Sequence, residues 1–98
     1  MKQYMVSIKF PENPPAEFVS LISPQRDLIT DLLNKGFILD VLLSEDRRHL
    51  WLLVNSETKD DIIEIIKTFP LYPFMEYNID ELLFRFSYAS PFSQMSLN

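Results

Sequence analysis

Two amphipathic helical stretches set among four short extended ones predict a small α+β domain, and three observations carry that prediction. Tyr4, Val6, Ile8 and Phe10 alternate with Met5, Ser7 and Lys9, the period-2 pattern of a strand with one buried face. Leu28, Ile29, Leu32 and Leu33, and later Ile62, Ile65, Ile66 and Phe69, recur at helical spacing. The segment Phe69-Pro70-Leu71-Tyr72-Pro73 stops the second helix near Thr68, because each proline lacks an N–H and disfavours the helical conformation at the residue before it.

Taken in order, the first strand covers Tyr4 to Phe10, and Pro11-Glu12-Asn13-Pro14-Pro15 breaks it. A helical region follows from Ala16 to Lys35. Ser23-Pro24 is a favoured helix start, serine as N-cap and proline at the first helical position, so a short helical piece to Ile22 and a main helix from Pro24 are expected. Asn34-Lys35-Gly36 ends that helix, with the sole glycine free to turn left-handed. Phe37 to Leu43 and His49 to Asn55 read as a hairpin across the polar turn Ser44-Glu45-Asp46-Arg47-Arg48. Ser56 is the expected N-cap of the second helix, and Asp60 and Asp61 suit its first turn. The last strand is expected from Phe74 to Ile79, resuming from Leu82 to Phe86. Residues 1–86 thus form one domain, and the Ser-rich stretch 87–98 is a C-terminal tail, frayed or docked on a neighbour. The order β-α-β-β-α-β is that of a ferredoxin-like fold, an antiparallel four-stranded sheet with two helices on one face.

Composition narrows the function classes. A chain of 98 residues builds a modest core, and burying surface against a copy of itself would add stability. No cysteine is present, so neither disulfides nor thiolate chemistry arise, and the lone histidine forms no recognisable metal motif. A formal charge of −5 argues against nucleic acid or an anionic membrane as partner. No membrane span, secretory signal, glycine-rich phosphate loop or nucleophile elbow is read, and the expectation is a cytoplasmic protein without cofactor or metal.

Alternation assigns the sheet a second face carrying Met5, Ser7 and Lys9; Ile38, Asp40 and Leu42; His49, Trp51, Leu53 and Asn55; and Glu76 and Asn78. Exposed on a monomer, Ile38, Leu42, Trp51 and Leu53 form an adhesive patch, which predicts a homodimer or larger homo-oligomer. Asp40 in an apolar strand must meet solvent, a partner or a ligand, since burying it unpaired costs several kcal/mol. It reads equally as a catalytic group and as an edge-strand charge that deters pairing. His49 is the one side chain that ordinarily titrates near neutrality, and a surface role is its plainer reading. Trp51 is either a stacking wall for a ligand or an interface aromatic. Asp40, Glu76 and His49 are the candidate catalytic residues, with Ser7, Lys9, Trp51 and Asn78 as candidate substrate contacts. A carboxylate opposite a lysine or histidine in a dry cavity is the arrangement of a general base with an enolate stabiliser.

The stretch Pro70-Leu71-Tyr72-Pro73-Phe74-Met75-Glu76, with Pro15-Ala16-Glu17 at the helix start and Lys35-Gly36 at its end, resembles the muconolactone Δ-isomerase family over residues 1–86. The spacing from Gly36 to Pro70 fits without a gap. The resemblance implies a ferredoxin-like subunit that pairs into a dimeric α+β barrel, and a cofactor-independent isomerisation of a small lactone acid by proton transfer. The family's strand after the glycine is rich in Arg, His and Trp, whereas Phe37 to Leu43 carries only Asp40. The competing reading is a non-catalytic oligomeric module.

Overall fold

The computed structural model describes residues 1–86, so the expected tail over 87–98 lies outside the described residues. Strand β1 (Lys2–Lys9) is followed by α1 (Ala16–Asn34), the hairpin β2 (Ile38–Leu43) and β3 (His49–Ser56), α2 (Lys59–Ile66), a single 3₁₀ turn (Tyr72–Phe74) and β4 (Glu76–Glu81). The sheet order is β2-β3-β1-β4 and every neighbouring pair is antiparallel. This is the expected ferredoxin-like subunit. Tyr4, Val6 and Ile8 of β1 join Leu50, Leu52 and Val54 of β3, with Phe18, Ile29, Leu32, Ile62 and Ile66 from the two helices, in one core.

The strand faces follow alternation everywhere except in β2. Ile38 pairs with Val54 and Asp40 with Leu53, so two steps on β2 match one on β3 and Leu39 is an extra residue, a β-bulge. The bulge turns Ile38 into the core, where it is 1% exposed, while Asp40 and Leu42 keep the opposite face. The expectation that Ile38 shares a face with Asp40 and Leu42 is thereby corrected: one inserted residue reverses every side chain before it.

Three boundaries also differ from expectation. The break at Ser23-Pro24 does not occur, and α1 runs through Pro24. The missing N–H leaves a carbonyl one turn earlier, but that stretch is exposed to solvent, while Phe18, Gln25, Ile29 and Leu32 stay buried on the packed side. Thr58 caps α2 instead of Ser56: its hydroxyl accepts the Asp61 N–H at 3.2 Å, while Ser56 is buried at the end of β3 and donates to the Thr58 carbonyl. Thr58→Ala is accordingly expected to cost about 0.5–2 kcal/mol in urea unfolding. Strand β4 begins at Glu76 rather than Phe74, because the 3₁₀ turn consumes Tyr72–Phe74. Gly36 has φ of 77° after α1, as its place at the helix end requires.

The chain beyond β4 takes a path the alternation does not reveal. Leu82 N–H still bonds to Gln3 C=O, extending the β4 edge, yet three residues on Arg85 reaches Asp40 on β2 with its Nη1 3.4 Å from the carboxylate. The segment after Leu82 therefore crosses the sheet face opposite the helices. The register aligns Asp40, Leu53, Met5 and Asp80 in one row across the sheet, and Leu53 in that row is only 3% exposed. Of the four residues expected to form an adhesive patch, Ile38 and Leu53 are already buried within the subunit. Leu42 remains exposed, and the crossing segment adds Leu83, Phe84 and Phe86 to the surface.

Candidate functional site

The face opposite the helices holds all seven candidate residues, and the strand register sorts them. Lys9 stands between His49 on β3 and Glu76 on β4, and Ser7 stands between Trp51 and Asn78. Directly opposed side chains on antiparallel strands have Cβ atoms about 5 Å apart, so these two rows form one polar field. His49 and Trp51 stack, with ring centroids 5.9 Å apart and planes 14° from parallel. Trp51 is half-buried, and Asn78 donates to the Asp80 carboxylate at 2.9 Å.

Asp40 shares the face but lies outside these two rows. It occupies the next row along, on the far edge strand, with its carboxylate held by Arg85 and its side chain 60% exposed. The electrostatic demand of a carboxylate in an apolar strand is met by water and a guanidinium. Glu76 has no comparable clasp among the described residues and lies at the end of the sheet, where β1, β3 and β4 meet.

At that end Lys9, Phe10, Pro11, Arg48, Phe74 and Glu76 enclose an open recess of about 260 Å³. Arg48 enters the sequence reading only as the last residue of the polar turn Ser44-Glu45-Asp46-Arg47-Arg48. Its carbonyl accepts the Phe10 N–H at 2.8 Å, which fixes the turn against β1, and its Nε is buried with no hydrogen-bond partner among the described residues. A buried guanidinium N–H without an acceptor is uncommon. The signal available in sequence was its place immediately before His49, at the mouth of the strand that carries the polar face.

The turn that presents Arg48 and His49 is organised by Asp46. Its Oδ1 accepts from the Ser44 hydroxyl at 2.6 Å and from the Arg48 N–H at 3.0 Å, while Ser44 Oγ accepts the His49 N–H at 3.0 Å. Arg47 N–H closes the turn onto Ser44 C=O, and Arg47 itself takes a left-handed φ of 63°. That conformation costs a non-glycine residue roughly 1–2 kcal/mol. The hydrogen bond from Ser44, then that from the Arg48 N–H, hold the Asp46 carboxyl below its ordinary value of 3.8. A carboxyl whose folded value is depressed contributes at neutral pH and stops contributing as pH falls below 3.8 through the lower folded value. Asp46 is therefore expected to titrate below 3.8 in a carboxyl NMR titration, and Ser44→Ala to move its midpoint upward.

No protein-family model matches this chain, and no curated protein matches it in sequence. Solved structures share its fold. Muconolactone isomerase superposes with a TM-score of 0.70 at 18% identity, covering 90% of this chain and 95% of that one. The 5-chloro-2-hydroxyhydroquinone dehydrochlorinase TftG of Burkholderia phenoliruptrix AC1100, solved with 2,5-dihydroxybenzoquinone, superposes at 0.58 and 12% identity over 89% of this chain and 95% of its own. The class defined by the architecture is a ferredoxin-like α+β subunit. Within it, this chain has a muconolactone isomerase-like fold.

Proposed function

We propose that the chain is a muconolactone isomerase-like small-molecule enzyme, moving a double bond in a small lactone or related carbon acid by proton transfer without a cofactor. The observation that carries this reading is the convergence of Glu76, Lys9 and Arg48 on one recess, with His49 the cross-strand neighbour of Lys9. A carboxylate, an ammonium and a guanidinium whose Nε has no acceptor among the described residues match the three demands of such a substrate. Glu76 takes a proton from one carbon, Lys9 with His49 stabilises the enolate oxygen, Arg48 holds the substrate carboxylate, and Glu76 returns the proton to a second carbon. No net proton, electron or atom is exchanged. Ser7, Asn78 and Trp51 lie one row further in and would line the substrate's other side.

The recess is open, and proton abstraction from carbon is favoured where water is excluded. A homodimer supplies the cover in this reading, through the exposed Leu42, Leu83, Phe84 and Phe86. The same apolar group supports the alternative, a non-catalytic oligomeric module. Incubation with muconolactone in D₂O separates the two. The isomerase reading expects the double bond to shift, with NMR reporting whether the returned hydrogen is the substrate's own or solvent deuterium. Absence of both isomerisation and exchange at protein concentrations where the oligomer forms would favour the module.

A further inference from the structure

On the helix-covered side of the sheet, separated from the proposed active-site recess by the shared Phe10, α1 fails to cover the turn end of the β2–β3 hairpin. Val41 and Leu43 point to the core side by register, opposite Leu52 and Leu50, yet both are exposed. Between them and the α1 stripe formed by Phe18, Ile22, Gln25 and Ile29 runs a groove of about 390 Å³, within the size range of small-molecule sites.

Its chemistry is specific in three respects. The walls are apolar, built from side chains such as Phe10, Phe18, Ile29 and Leu50. Gln25 lies in the middle of the apolar helix stripe and is 5% exposed. Its Oε1 is committed to the Leu71 N–H at 3.1 Å, which orients the amide and leaves Nε2 buried with no acceptor among the described residues. Arg26 and Arg47 line the groove as well, and neither has an ion-pair partner among the described residues. Arg47 is also the residue held at φ 63°, where glycine is the favoured choice. A strained arginine at a turn position that glycine would fill more comfortably argues that the guanidinium is wanted there.

We propose that this groove binds a monocarboxylic acid with an apolar body, the body lying between α1 and the β2–β3 hairpin and the carboxylate meeting Arg47, Arg26 and the Gln25 amide. The apolar walls select the body, and two cations with an unpartnered amide donor select an anion over an alcohol or an amine.

The test is titration of the full-length ¹⁵N-labelled protein with decanoate, decanol and decyltrimethylammonium, following the side-chain amide of Gln25. Decanoate is expected to saturate and shift that resonance. Decanol should bind about tenfold more weakly, the difference a charge-assisted contact makes, and the ammonium more weakly still. Arg47→Gly is the decisive variant: glycine suits φ 63°, so the thermal midpoint should hold or rise while decanoate affinity falls about tenfold. The proposal is overturned if decanol binds as tightly as decanoate, if Arg47→Gly binds as the wild type does, or if none of the three saturates. It is equally overturned if the shifts gather at the Trp51 indole, on the other face of the sheet. Affinity that falls as protein concentration rises would assign the groove to a second copy instead.

Discussion

Ile38→Ala is expected to remove about 2–5 kcal/mol of stability, a large share of the 5–15 kcal/mol typical of a whole domain, whereas Leu42→Ala leaves urea unfolding nearly unchanged. The contrast arises from one residue. Strict alternation places the two side chains on the same face, but the bulge at Leu39 sends Ile38 into the core at 1% exposure and leaves Leu42 51% exposed. Removing the Ile38 side chain opens a cavity in the core, while Leu42 sheds only surface. The effect of Leu42→Ala should appear in association, as a shift toward monomer in sedimentation. A costly Leu42 beside a tolerated Ile38 would mean that β2 pairs with β3 without a bulge.

Glu76→Gln should lower any isomerase turnover by about 10²–10⁴-fold, the usual worth of a general base, with the urea midpoint unchanged because the side chain is exposed. Asp40→Asn should keep turnover within a few-fold. Both carboxylates belong to the same sheet face, and the difference lies in their company. Glu76 shares a recess with Lys9 and Arg48, and Asp40 is occupied by Arg85. The opposite result, with Asp40 essential and Glu76 dispensable, would identify Asp40 as the base and require the Arg85 contact to open during the reaction.

How far the sequence was legible depended on whether a feature is periodic. Alternation in β1 and β3 and the helical spacing in α1 and α2 depend on many residues at once, so the element order and the sheet face of Ser7, Lys9, His49, Trp51 and Asn78 could be read directly. The bulge could not, because Ile38 and Leu39 are both apolar and no glycine marks the inserted residue. Pro24 misled for a related reason: its local preference for a helix start was outweighed by the buried stripe from Phe18 to Leu32 that continues past it. Thr58 and Ser56 are both good caps, and only the length of β3 chooses between them. Arg85 meets Asp40 across 45 positions, a contact with no local signature. Arg48 shows in the sequence only as part of a polar turn, because an unsatisfied N–H exists only in three dimensions.

The two edges of the sheet differ in a way that bears on how far copies of this chain can polymerise. Strand β4 presents Glu76, Asp80 and Glu81 in six residues, so a second β4 laid against it would set like charges face to face. Strand β2 carries one acid, already neutralised by Arg85, among apolar side chains, and its bulge breaks the even ladder that an incoming strand must match. An endless ribbon needs two adhesive edges on every unit. Among the described residues neither edge is suited to pairing with its own copy, which points self-association toward the sheet faces.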